Sequence, residues 1–135
     1  MTASIIYKGN LRCEATHTQS HTLIETDAPI DNKGKGEKFS PTDLLCVSLA
    51  TCIITTIAIK AADMEIDIAH TQMEVTKYML SNPRRIAKIE IALQFLSTLH
   101  LDDKQKTILQ RVAENCPVKR SLHPDMEVQL FYNWQ

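Results

Sequence analysis

The segment SPTDLLCVSLATCIITTIAIKAADM, residues 40–64, constrains this chain more than any other stretch. Its opening carries the marks of a helix start. Ser40 offers a hydroxyl N-cap, Pro41 takes the first helical position, and Asp43 lies in the first turn against the positive end of the helix dipole. Positions 44–62 are then apolar or small on nearly every face. A helix of that kind belongs in the middle of a structure rather than on its surface. With 135 residues, the chain suits one domain with a modest core and has difficulty covering such a helix alone. The expectation is a single domain, residues 1–135, that pairs as a homodimer whose halves enclose each other's helices.

A membrane span is the competing use of an apolar helix. The run from Leu44 to Ile59 is broken by Ser48, Thr51, Thr55 and Thr56 and ends at Lys60. It is shorter than the roughly 20 apolar residues a span needs, so no membrane partner is expected. The start, MTASIIYKGN, lacks a basic segment followed by an apolar run, so no secretory signal is expected and the cytoplasm is the default location. The formal net charge of −1 supplies no basic field for nucleic acid.

Around the helix the pattern is mostly strand. SIIYKGNLRCEATH reads as two short strands about a Gly9–Asn10 turn, and HTLIETDAP as a third. PIDNKGKGEKF holds two of the three glycines and reads as a flexible loop, with Asp27 assigned to the turn before it. Beyond residue 66 the period becomes two. IAHTQMEVTKYML places Met73, Val75 and Met79 on one face, with Lys77 as the exception, and SNPRR is a turn. IAKIEIALQFL sets Ile89, Ile91, Leu93 and Phe95 against Glu90, Ala92 and Gln94, completing an antiparallel hairpin. Asp102 or Asp103 can cap a second helix running through Asn115, with Ile108, Leu109, Val112, Ala113 and Cys116 on its apolar stripe. MEVQLFYNW alternates again, placing Met126, Val128, Leu130, Tyr132 and Trp134 on one side. Strands, buried helix, hairpin, helix and strand make an α+β domain.

The chemistry-bearing residues are the four cysteines. Without a signal segment, and with no C-x-x-C pair, they fit neither a structural disulfide framework nor a zinc site, so no metal or cofactor is expected. Cys52 and Cys116 stand 64 positions apart (116 − 52), each on or at the end of an apolar helix. Each could be a core residue, half of a disulfide, or a reagent, and spacing alone does not decide. Cys13 and Cys46 read as packing residues. His17, His21, His70 and His100 share no ligand spacing. His123, near Cys116, raises a Cys–His hydrolase, but no nucleophile elbow or oxyanion-hole signature accompanies it.

FSPTDLLCVSLATC, followed 64 residues later by AENCPVKRSL, resembles the OsmC/Ohr family of osmotically induced and organic-hydroperoxide-resistance proteins. The likeness extends to the strand-rich start with TDAP, the glycine-containing loop, the cysteine eleven residues past Pro41, and the NPRR hairpin. The resemblance implies the OsmC-like fold, antiparallel sheets wrapped around long buried helices in an intertwined homodimer with active sites at the subunit interface. It implies a metal-free thiol peroxidase with Cys52 as the peroxidatic and Cys116 as the resolving cysteine. Organic hydroperoxides would be the substrate and a dithiol, such as a lipoyl group, the reductant. The alternative is a non-catalytic module that binds a small hydrophobic ligand at the dimer interface.

Only a thiolate attacks a peroxide well, and apolar surroundings disfavour it. Cys52 lies about three turns into its helix, beyond the reach of the dipole, which is confined to the first turn. A cation is therefore required. The resemblance implies an arginine from the N-terminal strands, for which Arg12 is the candidate and Arg84, Arg85 and Arg120 the competitors. In the family a glutamate just after the helix-opening proline holds this arginine. Here that position is Thr42, and Asp43 faces about 100° away around the helix.

Overall fold

This computed structural model describes residues 1–134. Strands β1 (Ala3–Gly9), β2 (Arg12–His17) and β3 (Leu23–Asp27) form an antiparallel sheet in that order. Helix α1 covers Pro41–Asp63. Strands β4 (Gln72–Ser81) and β5 (Arg84–Gln94) form the expected antiparallel hairpin. Helices α2 (Asp103–Ala113) and α3 (Pro117–Arg120) precede β6 (Glu127–Asn133). The architecture is α+β. Its topology departs from the all-antiparallel expectation at one place, because β6 pairs with β5 in parallel. Parallel neighbours require a crossover long enough to return the chain to the starting edge, and the two helices between β5 and β6 provide it.

The chain divides into two compact units, an N-terminal one of residues Met1–Leu45 and a second that begins at Cys46. In the N-terminal unit, Gly9 and Asn10 both take positive φ, as the β1–β2 turn demands. Register places Ile5, Ala15 and Ile24 on one sheet face, with Tyr7 and Cys13 beside them, and Ile6, Glu14 and Glu25 on the other. The first face is apolar, yet Ile5 is 69%, Tyr7 63% and Ile24 48% exposed. Residues 28–39 hold more regular structure than a glycine-rich loop promises. A 3₁₀ turn covers Ile30–Asn32, and Gly36 donates its N–H to Ala28 O at 3.3 Å. A Cβ on Gly34 would fall 1.6 Å from that same carbonyl oxygen, so only glycine fits there.

The second unit builds its own core. The buried stripe of α1 runs through Cys46, Leu49, Ala50, Ile53, Ile57 and Ala61, at spacings of three and four. Ile86, Ile89, Ile91 and Leu93 on β5, then Phe95, Leu109, Ala113 and Cys116, are buried with it. The opposite side of α1 is exposed at Val47, Ser48, Thr51, Thr55 and Ile59. Burial all round is therefore not what this chain gives α1: a single stripe is covered. The helix itself runs where the sequence places it, from Pro41 past position 62. At 23 residues and a mean hydropathy of 2.1, α1 has the length and composition of a membrane span, a measure that the core helix of a soluble protein meets equally.

The helix ends follow their residues. Ser40 Oγ accepts the Asp43 N–H at 3.1 Å while Asp43 Oδ2 accepts the Ser40 N–H at 2.8 Å, a reciprocal capping box on α1. Asp102 and Gln105 make the equivalent box on α2, at 2.7 and 2.9 Å.

Candidate active site

Cys52 and Cys116 both lie in the second unit, close enough that Cys52 acts on the ionisation of Cys116. They arrive by different routes. Cys52 lies beside the buried stripe of α1 rather than on it and is half-buried, with its carbonyl accepting the Thr56 hydroxyl at 2.8 Å. Cys116 is fully buried. It was expected to finish the apolar stripe of the second helix, but α2 stops at Ala113. Cys116 instead has extended backbone and caps a new helix, with Pro117 in its first turn. Proline lacks the N–H needed to continue α2 but suits a helix start, so the Cys-Pro pair divides the segment in two.

As a cap, Cys116 Sγ accepts the backbone N–H of Lys119 at 3.3 Å. Burial nevertheless pushes the Cys116 thiol above its ordinary pKa. The Lys119 and Val118 N–H groups oppose that push, while the hydrogen bond with Cys52 and a charge on Cys52 add to it. The pair is thus asymmetric. Cys116 is the member that holds its proton and can donate it, and Cys52 is the member open to an incoming reagent. No disulfide links any of the four cysteines. Cys46 is buried at 3% exposure, as a packing residue should be, whereas Cys13 is half-buried on the exposed apolar sheet face.

Arg12 belongs to the N-terminal unit, where it is clamped. Its Nε and Nη2 donate to Asp27 Oδ1 and Oδ2 at 2.7 and 2.9 Å, a bidentate fork, and Nη2 also donates to Glu37 Oε2 at 2.7 Å. Asp27 is not a turn residue. It ends β3, directly opposite Arg12 in the strand register, and is 2% exposed. It accepts the Glu37 N–H at 3.1 Å as well. Arg12 holds the Asp27 carboxyl well below the usual carboxylate range, and the guanidinium is in turn raised by Asp27 and Glu37. Asp43 is engaged in the α1 cap. Arg12 is thus held by Asp27 and Glu37 rather than by a side chain at position 42 or 43. Sequence reasoning passed over both, although an Arg and an Asp ending paired strands was a readable signal.

The remaining candidates take structural roles. Arg120 donates to Asn115 Oδ1 at 2.8 Å, and Arg85 donates to the Ile86 carbonyl at 3.3 Å. His123 is exposed, its Nδ1 accepting the Asp125 N–H at 3.2 Å. Trp134 stacks on Phe95 at 4.0 Å and on Tyr132 at 5.7 Å between ring centres.

Residues 34–131 match the family described as OsmC-like protein. Among solved structures, a provisionally described osmotic stress induced and detoxification response protein of Psychrobacter arcticus 273-4 is 51% identical. It covers 98% of this chain and 96% of its own, with a TM-score of 0.93. An organic hydroperoxide resistance protein OsmC of Legionella pneumophila is 17% identical over 98% and 97% of the two chains, with a TM-score of 0.76. An OsmC-like protein of Mycoplasma pneumoniae is 19% identical over 98% and 94%, with a TM-score of 0.77. No curated protein matches the chain by sequence.

Proposed function

Because this chain belongs to the OsmC-like protein family, we propose that it is a metal-free thiol peroxidase that reduces organic hydroperoxides. The observation that carries the reading is the Cys52–Cys116 pair, one thiol half-exposed and the other buried with its proton held. The Cys52 thiolate attacks the terminal peroxide oxygen, the O–O bond breaks, and an alcohol leaves after taking a proton, so that Cys52 becomes a sulfenic acid. Cys116 then condenses with it, releasing water and forming the Cys52–Cys116 disulfide. A dithiol, of lipoyl type, restores both thiols by exchange. The relative named an organic hydroperoxide resistance protein supports this substrate class.

Arg12 is proposed as the cation that favours the Cys52 thiolate. What supports it is its clamp: a guanidinium with Nε and Nη2 fixed by two carboxylates is held in one orientation. A homodimer is proposed as the working form. The apolar β1–β3 face and the uncovered side of α1 are the surfaces a second copy would cover.

Consumption of cumene hydroperoxide in the presence of dihydrolipoamide tests the activity. One equivalent of hydroperoxide should produce a Cys52–Cys116 linkage by mass spectrometry; its absence removes the cycle. A second reading, a binding module for a small hydrophobic ligand, draws on a cavity of about 460 Å³ along α1. Ile54, Ala58, Ala62 and Ile66 line it. Under that reading Cys52→Ser leaves ligand retention intact in native mass spectrometry, and no hydroperoxide is consumed.

A further inference from the structure

A disulfide between Cys52 and Cys116 has two ends, and a dithiol that reduces it must choose one. Resting on the peroxidase cycle proposed above, we infer that the reductant enters at Cys52 Sγ and expels Cys116 as the leaving thiolate, received by the backbone N–H of Lys119.

Three features of the second unit converge on this choice. An attacking thiolate approaches along the extension of the S–S bond, so the sulfur it attacks must be open on the side away from its partner. Cys116 has none of its surface exposed, whereas Cys52 is half-exposed beside the buried stripe of α1. Next, the leaving sulfur takes the electron pair of the broken bond and needs hydrogen-bond donors. Cys116 Sγ already accepts the Lys119 N–H at 3.3 Å. Finally, Pro117 starts the short helix α3 and has no N–H of its own, so its backbone leaves the N–H of Lys119 turned to the capping sulfur.

The exchange balances. One thiolate of the dithiol attacks Cys52 Sγ, the Cys52–Cys116 bond breaks, and its electron pair goes to Cys116 Sγ, which takes up a proton. The reductant is now joined to Cys52 as a mixed disulfide. Its second thiol, after losing its proton, attacks the reductant's own bonded sulfur and closes a cyclic disulfide. Cys52 leaves as the thiolate. Two electrons pass from the dithiol to the protein, and Cys52 emerges in the state that meets the next peroxide.

The experiment uses the full chain oxidised to its disulfide, by cumene hydroperoxide or independently by diamide. A brief pulse of 2-mercaptoethanol, which cannot complete the second exchange within one molecule, is quenched with acid. Newly freed thiols are then labelled with N-ethylmaleimide under denaturing conditions. Fragment mass spectrometry should find the mercaptoethanol adduct on Cys52 and the label on Cys116. The reverse distribution overturns the inference while leaving the cycle standing. A diamide-formed disulfide that hydroperoxide cannot produce sinks the cycle but still reports the preferred end. Lys119→Pro deletes one N–H donor and should slow dithiol reduction about tenfold relative to peroxide attack, the effect of losing a hydrogen bond to a charged group. The slowing should be larger above neutral pH, where attack is no longer limiting. Glu114→Gln, which removes the ion pair with the Lys119 side chain and leaves the Lys119 N–H in place, should not slow that step; equal slowing in both variants counts against the donor role.

Discussion

The two units of this molecule solve the same problem in opposite ways. The second carries its own apolar core, with Leu49, Ile53, Ile57, Ile89, Ile91 and Leu93 all at 0% exposure. The N-terminal unit is organised instead around one buried carboxylate and its partners. Asp27, at 2% exposure, gathers the Arg12 fork and the Glu37 N–H, while Ile5, Tyr7 and Ile24 on the other face of the sheet stand exposed. Apolar burial is the main favourable term in folding, whereas a buried ion pair roughly offsets its own desolvation. A sheet ordered by a clamp and left apolar on one face is thus an incomplete piece of core. The difference teaches that the thiol pair is built where the chain has an apolar core of its own, and the guanidinium where it has a clamp beside an exposed apolar face.

The largest effect separating the units should fall on activity. Cys52→Ser should reduce peroxide consumption to background without altering the fold, and Cys116→Ser should let Cys52 sulfenic acid accumulate and overoxidise. A dimedone label on Cys52, measured by mass spectrometry, checks both. Truncation of the core comes next. Ile89→Ala should cost about 2–5 kcal/mol in denaturant unfolding. An Ile5→Lys change, on the exposed face, should leave the second unit's unfolding unchanged and shift the protein from dimer to monomer in light scattering. A monomeric wild type, or an Ile5→Lys variant that stays dimeric, would break the comparison.

Acid should act on the N-terminal unit through Asp27. Arg12 lowers the Asp27 pKa in the folded protein, so the unfolded chain binds the proton more readily. The clamp's contribution is therefore present above the ordinary aspartate value of about 3.9 and is lost as pH falls through the lower folded value. Asp27→Asn should destabilise this unit at neutral pH and flatten its response to acid. Hydrogen exchange of the β2 and β3 amides between pH 5 and roughly pH 2 reads both effects.

What the sequence disclosed follows from what is local. The capped start of α1, the Gly9–Asn10 turn and the alternation through residues 89–95 are short-range patterns, and each appears where the pattern places it. The parallel return of β6 depends on a crossover and leaves no trace in alternation. The division at Cys116 was half visible, since Pro117 announced an end to α2 but not the start of α3. At the site, the pairing of Cys52 with Cys116 came from resemblance, not periodicity, because a separation of 64 positions carries no geometric constraint. Asp27 and Glu37 were missed because a charge ten residues from another looks like solvated surface until the chain between them is folded back.

The smallest prediction concerns the second unit's own buried polar groups, and it has the opposite sign to the acid experiment. Asp27 has every lone pair it needs occupied, whereas Tyr132 Oη and Trp134 Nε1 are buried with no hydrogen-bond partner among the described residues. Burial pushes the Tyr132 hydroxyl up to about 12, with the Glu114 charge adding to it. The unfolded chain, with an ordinary tyrosine near 10, gives up its proton first. Stability is then intact below pH 10 and falls as pH rises towards about 12. Tyr132→Phe keeps the ring stacked on Trp134 and removes a hydroxyl that gains nothing in the fold. It should leave stability at pH 7 unchanged or raise it by up to about 1 kcal/mol, and it should remove the alkaline loss. Denaturant midpoints at pH 7 and pH 11 decide it: a clear destabilisation at pH 7 would mean that the hydroxyl has a partner, and that the second unit's core is polar-satisfied in the same way as the clamp.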